Sequence, residues 1–266
     1  MYQPYFRLFK DHPEVVHVVT TRASGVSRGP CRSWNMGFRP YDDAEAVREN
    51  RMRLSSVIGA APESITTGEQ VHGCNVAVVR LADKGGGALD PSTRISATDA
   101  LITDLTDIPL LVLIADCAAV ALYDPVHKAI GIAHAGWRGT AAGIACETVR
   151  QMKKTYASNP RDMLASISPS IGRCCYEVGE DVIGLFRKSF GEQADLFFTI
   201  NQANKVHLDL WEANASQLAN IGLVRDNIAV AALCTACHTD VFYSHRAENG
   251  KTGRFASVIM LRGGKP

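Results

Sequence analysis

The stretch PLLVLIADCAAVALYDPVHKAIGIAHAGWRGTAAGIACETV, residues 109–149, constrains the fold more than any other part of the chain. Residues 110–115 and 129–133 are short, uninterrupted apolar runs bounded by polar residues or Pro, and such runs read as strands buried on both faces. Asp116 and Cys117 follow the first run and His134 follows the second. Each of these side chains is therefore placed where a strand leaves the core, a common position for sites. After His134, Ala-Gly-Trp-Arg-Gly-Thr leads into a helical pattern with Thr140 as its expected N-cap. Free N–H groups at that helix start, close approach at Gly136 and Gly139, and the fixed cation of Arg138 would make an anion cradle; a capped strand-to-helix turn would carry the same residues.

Residues 15–20, 76–81 and 255–261 are also β-rich and bounded by turn formers. Helical spacing appears at Val47, Leu54 and Ile58 before Gly59, and at Ala145, Val149, Met152 and Tyr156. It recurs at Val182, Leu185, Phe186 and Phe190 before Gly191, and at Trp211, Ala215, Leu218 and Ile221. The last pattern opens with Asp209 and Glu212, three apart, in the manner of a capping box. No repeat, Pro/Ser-rich linker or long charge run divides the chain, so residues 1–266 read as one domain. Strands separated by helices at irregular intervals favour a mixed sheet covered by helices over a strict βαβ alternation. Residues 85–98, GGGALDPSTRISAT, lack an apolar period and a following GK[ST], and read as a flexible loop, not a phosphate-binding one.

Composition narrows the partners. With 46% hydrophobic and 21% charged residues over 266 positions, the chain is neither disordered, collagenous nor a coiled coil. A formal charge of +1 provides no whole-molecule field for polyanions, so nucleic acid is not an expected partner. The opening residues carry Arg7, Lys10, Asp11 and Glu14 and no apolar run long enough for a signal peptide or a membrane span, which gives a cytoplasmic expectation with no membrane partner. In a reducing compartment the eight cysteines are core residues, metal ligands or catalytic groups.

His72 stands in GEQVHGCNV, just before the run at Val76. Alone it reads as readily as a surface or core histidine, Cys117 as a small buried apolar residue, and His134 as unremarkable. The set His72, Cys117 and His134 is too widely spaced for a local metal finger and becomes a site only if the fold gathers it. Cys234-Thr-Ala-Cys237-His238 matches a haem-attachment pattern, but that chemistry belongs to exported proteins; core or loop cysteines, or a second metal or redox pair, are the other readings. For the vicinal pair Cys174 and Cys175, burial is favoured over redox work.

Several blocks carry a resemblance: TTRASGVSRGPCRSWNMG at 20–37, EQVHG at 69–73, TDALIT at 98–103, ADC at 115–117, HAGWRGT at 134–140, IGRCCYEVGEDV at 171–182, LDLWEAN at 208–214 and CTACHTDVFYSHR at 234–246. In these the chain resembles the laccase-domain family, also called the polyphenol oxidase or YfiH-like family, whose members include purine nucleoside phosphorylases and the peptidoglycan editing factor. The resemblance implies an α+β fold, a four-layer α/β/β/α sandwich with mixed β-sheets. It also implies that His72, Cys117 and His134 bind a metal ion, usually zinc, and carry the activity. Two imidazoles and one thiolate leave a fourth tetrahedral position open, as in a catalytic zinc site, where bound water has its pKa lowered to about 7. Asp116 would then orient a ligand or, equally, cap its turn. Copper fits less well: a blue-copper site also uses two His and one Cys, but a multicopper oxidase needs many paired histidines, and this chain has eight His with no His-x-His.

Arg138, Arg22, Asn35, Arg246 and Ser244 are the other polar candidates in matching blocks. Arg138 is expected to hold phosphate or another anion, and Arg22, Asn35 and Arg246 to bind substrate, with a turn or surface role as the alternative for each. Two departures bear on the pocket: Ala119 stands where the family often has Pro, and Ala247 where an Arg-Arg pair is common. The leading expectation is a zinc-dependent purine nucleoside phosphorylase acting on adenosine, inosine or methylthioadenosine, with adenosine deamination as a second reaction of the same pocket. One alternative is a hydrolase in which Cys117 is the nucleophile and His134 the base, removing a misincorporated amino acid from a nucleotide-linked muramyl peptidoglycan precursor. The other is a metal-binding module without turnover.

Overall fold

The computed structural model describes residues 5–9 and 11–263. Residues 1–4, Lys10 and 264–266, which belong to the leader and single-domain readings above, lie outside the described residues. In chain order the elements are β1 (Tyr5–Leu8), β2 (Val15–Thr20), α1 (Ala44–Ile58), β3 (Thr66–Thr67), β4 (Val76–Val78), β5 (Ala100–Thr103), β6 (Leu110–Ile114) and β7 (Ala118–Asp124). They continue as β8 (Ala129–Ala135), α2 (Trp137–Ala141), α3 (Ile144–Tyr156), β9 (Leu164–Ile167) and α4 (Glu180–Phe190). Last come β10 (Phe198–Ile200), β11 (Val206–Leu208), α5 (Leu210–Asn220), β12 (Ile228–Val230) and β13 (Phe255–Leu261).

Two mixed sheets result, ordered β1-β2-β13-β6-β3 and β12-β9-β7-β8-β5-β4, with β10 and β11 forming a separate pair. The pairs β3–β6, β4–β5 and β9–β12 are parallel, while β13–β6, β5–β8 and β7–β8 are antiparallel. Along β6, Leu110, Val112 and Ile114 face the other sheet, where they share a core with Ala119, Ala121, Tyr123, Ile130 and Ile132. Leu111 points the opposite way and joins Leu54 and Ile58 of α1. This is the two-residue alternation of a pleated strand. The outer face of the second sheet, including Ile102, Val120 and Leu122, packs on Ile144, Val149 and Met152 of α3 and on Ala215 and Leu218 of α5. The layers are thus α/β/β/α, as the resemblance implied. Because each sheet is covered on both faces, its central strands are largely apolar on both sides. Among the described residues no helix is long and apolar enough to cross a membrane.

The structure corrects several local expectations. His134 lies within β8, opposite Ala119, and does not follow the strand. The helix expected after Thr140 is broken at Gly143, whose φ of 81° takes it out of helical geometry; Gly136 is the N-cap of α2 and Gly143 that of α3. Thr140 is therefore no N-cap but a buried residue inside α2, accepting a hydrogen bond from Asn214 Nδ2 at 3.1 Å. Asp209 does cap α5, accepting from the Glu212 N–H at 3.0 Å, while the Glu212 carboxylate turns to Arg225 instead of closing the box. The glycine-rich loop is pinned, not free. Gly86 O accepts from Thr67 N, and Gly87 O and Ala88 O accept from the Arg51 guanidinium, so the loop is tied to both β3 and α1.

Candidate metal centre

Strand β6 belongs to one sheet and β7 to the other, so residues 115–117 carry the chain across the seam between them. Asp116 makes this crossing in the left-handed region, with φ of 84°. Its carboxylate accepts from Thr235 Oγ1 and from the Arg246 N–H, each at 2.6 Å, and its carbonyl accepts from Ile171 N at 2.9 Å. Asp116 thus fastens the crossing to two neighbouring loops, and Cys117 emerges half-buried at the seam. His134 reaches the same place from the end of β8, and His72 from the loop between β3 and β4. Their donor atoms and Cys117 Sγ all lie within 4.8 Å of one another. Gly136 permits this approach: a Cβ there would sit 2.8 Å from Cys117 Sγ and 3.2 Å from His72 Cδ2.

The residue that organises the cluster is Asp99, just before β5. Its fully buried carboxylate accepts from His134 Nδ1 at 2.9 Å and from three consecutive backbone N–H groups, Val71 at 3.2 Å, His72 at 2.9 Å and Gly73 at 2.7 Å. One side chain therefore shapes the loop that presents His72 and holds His134 in the tautomer that leaves Nε2 for the site. The same carboxylate role was assigned to Asp116 as one option from sequence; the structure gives Asp116 the loop-fastening role and Asp99 the orienting one. Burial alone would raise the Cys117 thiol, but His134 and His72 beside it outweigh burial and bring it down to about 6. Burial alone would likewise lower His134, yet Cys117 and Asp99 raise it to about 9. A Cys pulled toward thiolate is suited to ligating a metal, while His134 would have to release its Nε2 proton to an ion that binds there. Two imidazoles and a thiolate, mutually close and partly shielded, fit a metal ion by donor chemistry and spacing.

The cluster forms one wall of a cavity of about 310 Å³, the scale of a small-molecule site. Arg39, Arg51, Arg94 and Arg254 line it too, together with Gln70 and His245. Among the described residues none of these four arginines forms an ion pair with a carboxylate. Arg51 is buried and donates to the carbonyls of Met36, Gly87 and Ala88, whereas Arg39, Arg94 and Arg254 are only half-buried. Gln70 is pinned by a reciprocal pair of 2.8 Å bonds to the backbone of Leu113, which anchors the His72 loop to β6.

The other sequence candidates fall elsewhere. Arg138 is exposed, its guanidinium stacked 4.1 Å over Trp137, on a helix of five residues. Arg22 pairs with Glu248 at 3.1 Å and donates to Thr239 O. Asn35 is buried and bonded to Gly37, Asp42 and Arg254 N, so it fixes the backbone on either side of the cavity. Arg246 donates its backbone N–H to Asp116 and its guanidinium to Glu177 O. Ser244 is buried and bonded to Ala247 N. None of these five is among the residues lining the cavity. The arginines that do line it come from four separate segments, and no local spacing marks them. Asp99 had a signal in the block TDALIT, where an acid immediately precedes an apolar strand.

Comparison with known proteins agrees with this architecture. Residues 16–262 match the family model described as multi-copper polyphenol oxidoreductase laccase. The purine nucleoside phosphorylase YlmD of Bacillus subtilis is 36% identical over 98% of this chain and 94% of its own length. The adenosine deaminase RL5 of an unknown prokaryotic organism is 32% identical over 91% of this chain and 92% of its own. The crystal structure of YlmD from Geobacillus stearothermophilus superposes with a TM-score of 0.94 at 35% identity, covering 99% of this chain and 98% of that one. The chain belongs to the multi-copper polyphenol oxidoreductase laccase family.

Proposed function

We propose that this chain is a metal-dependent purine nucleoside phosphorylase in which His72, Cys117 and His134 hold the ion, zinc being the metal best suited to two imidazoles and a thiolate. The observation that carries this reading is the meeting, in one small cavity, of those three donors with arginines that have no carboxylate partner among the described residues. Phosphorolysis needs both a neutral sugar–base substrate and an anion held beside it. Arg39, Arg94 and Arg254 supply the anion site through guanidinium N–H groups that match phosphate oxygens in geometry. This moves the phosphate from Arg138, where the sequence suggested it, to the cavity wall. A phosphate oxygen bonds C1′ of the nucleoside as the C1′–N9 bond breaks, the electron pair leaves with the base, which takes up the proton that the hydrogen phosphate gives up, and the products are free base and pentose 1-phosphate. The bound ion would supply Lewis acidity beside the reacting group. Asp99 holds the proton on His134 Nδ1 and keeps the His72 loop in place throughout. The names of the relatives support purine nucleosides as the substrate class and adenosine deamination as a second reaction; within that class adenosine, inosine and methylthioadenosine are the substrates we expect. The partners are small molecules, and the location is cytoplasmic.

One observation favours a second reading. Cys117 Sγ and a ring nitrogen of His134 lie within 4.8 Å of each other, and Asp99 holds the far side of that imidazole, the arrangement of a nucleophile, its base and the group that orients the base, as in a hydrolase acting on a muramyl nucleotide. Incubating metal-replete protein with adenosine, with and without phosphate, and separately with a serine-containing muramyl nucleotide, and identifying products by mass, separates the two. Adenine release that depends on phosphate is the expected result. Release of serine from the muramyl substrate, with adenosine left intact, would overturn the phosphorylase reading.

A further inference from the structure

A second group of donors lies outside the cavity. Sequence favoured burial for Cys174 and Cys175, but the structure leaves Cys174 and Cys237 exposed and Cys175 half-buried, with only Cys234 buried; all four are free thiols. The turn at 171–176 and the turn at 234–238 bring them together so that all four sulfurs lie within 4.8 Å of one another. Cys237 Sγ is 3.5 Å from Cys174 Sγ and 3.4 Å from Cys175 Sγ. A tetrahedral ion with metal–sulfur bonds of ~2.3 Å has sulfur–sulfur edges of ~3.8 Å, so this arrangement already approximates the cage. Cys237 is almost equidistant from two thiols, and no pair is singled out for a disulfide. The backbone is arranged for sulfur as well. The Gly172 N–H donates to Cys234 Sγ at 3.2 Å, and a side chain at Gly172 would meet Cys234 Cβ at 3.2 Å and the Trp211 ring at 2.7 Å.

We propose that Cys174, Cys175, Cys234 and Cys237 form a closed tetrathiolate site for a thiophilic divalent cation of the zinc type, separate from the cavity cluster. With four protein ligands it has no open position and is structural. Its place in the fold gives it a task. The two turns it joins are those that grip Asp116, through Ile171 N on one side and Thr235 Oγ1 on the other. The ion would staple together the loops that hold the sheet crossing and, with it, Cys117.

The test uses a variant in which His72→Ala and Cys117→Ser remove two donors of the cavity cluster, so the result does not depend on the proposed function. Zinc-loaded, desalted protein is expected to retain one equivalent of metal by elemental analysis. X-ray absorption should show four sulfur neighbours at about 2.3 Å. The cobalt-loaded form should show thiolate-to-metal charge transfer and intense visible bands of a tetrahedral site. Adding Cys174→Ser and Cys237→Ser should abolish all three signals. If that variant fails to fold, the first variant alone decides. Retention of no metal, or four thiols freely titratable in the presence of zinc, or an intramolecular disulfide by mass in place of the metal, would overturn the proposal.

Discussion

Replacing Gly136 by alanine tests the cavity cluster without altering any donor. Gly136 has φ of −71° and ψ of 171°, a conformation that alanine adopts freely, and as the N-cap of α2 its replacement costs at most about 1 kcal/mol of stability. The new Cβ would lie 2.8 Å from Cys117 Sγ and 3.2 Å from His72 Cδ2. Ordinary contacts are ~3.5–4.0 Å, so the sulfur must retreat by about 0.7–1.2 Å. Metal–ligand distances tolerate about 0.2 Å, several times less than this displacement. A misplacement of about 1 Å commonly costs about 100-fold, equivalent to about 2.7 kcal/mol, and we expect losses of this size in both metal affinity and turnover. Competition against a chromophoric chelator measures the first and product formation the second, while urea denaturation of the metal-free protein checks that the fold survives. Gly184→Ala is the control, because nothing lies within 4 Å of its added Cβ; it should leave metal binding unchanged and add about 0.5–1 kcal/mol of stability in mid-helix. A Gly136→Ala protein with the metal affinity and turnover of the parent would refute the assignment of His72 and Cys117 as joint ligands.

Three other perturbations probe the surroundings. Asp99→Asn keeps the shape but turns one oxygen into a donor, so either Val71 and Gly73 or His72 and His134 lose their acceptor; metal affinity should fall about 10–100-fold and stability by about 1–3 kcal/mol, and an unchanged chelator titration would count against the orienting role. Arg254→Ala should raise the KM for phosphate about tenfold or more while Arg138→Ala leaves it within about twofold, since a charge-assisted bond is worth about 1.5–3 kcal/mol; the reverse order would return the anion to Arg138. Buried His17, held neutral with its pKa lowered to about 3 by burial, makes its full contribution above its unfolded value near 6.5 and loses it as pH falls from there toward 3, by about 5 kcal/mol in all. In His17→Leu the slope of unfolding free energy against pH in that window should drop by about one proton, and identical slopes in urea titrations would exclude His17 as the source.

What was legible in the sequence was local. The runs at 110–115 and 129–133 announce strands because each is buried on both faces, and Gly59 ends α1 where the helical pattern stops. Strand β7 was not separable from the apolar run before it, because the corner at Asp116 depends on a left-handed backbone that an aspartate does not advertise. His72, Cys117 and His134 could be named through their motifs, but their meeting depends on a crossing between sheets and on the pairing of β5 with β8. Register of that kind is set by partners distant in sequence and leaves no periodic trace. Asp99 is the consequence: it precedes β5, and the antiparallel match of Ala100 with Ala133 is what sets it beside His134.

The near-neutral charge of the chain sharpens the same point about the anion site. With a net charge of +1 there is no long-range field to concentrate phosphate, so attraction must come from cations a few ångströms away. Arg138 looked suited because its neighbours Gly136 and Gly139 promised open backbone at a long helix start. Gly136 instead makes room for Cys117 and His72, and the break at Gly143 cuts that helix to one turn and a half. Among the described residues the four arginines that line the cavity have carbonyl or phenol partners in place of carboxylates. A guanidinium left without a counter-ion at a half-buried wall is stabilised by an anionic ligand and costs free energy without one. The anion preference proposed for the cavity therefore rests on what those arginines lack among the described residues, a property that only the packing of distant segments creates.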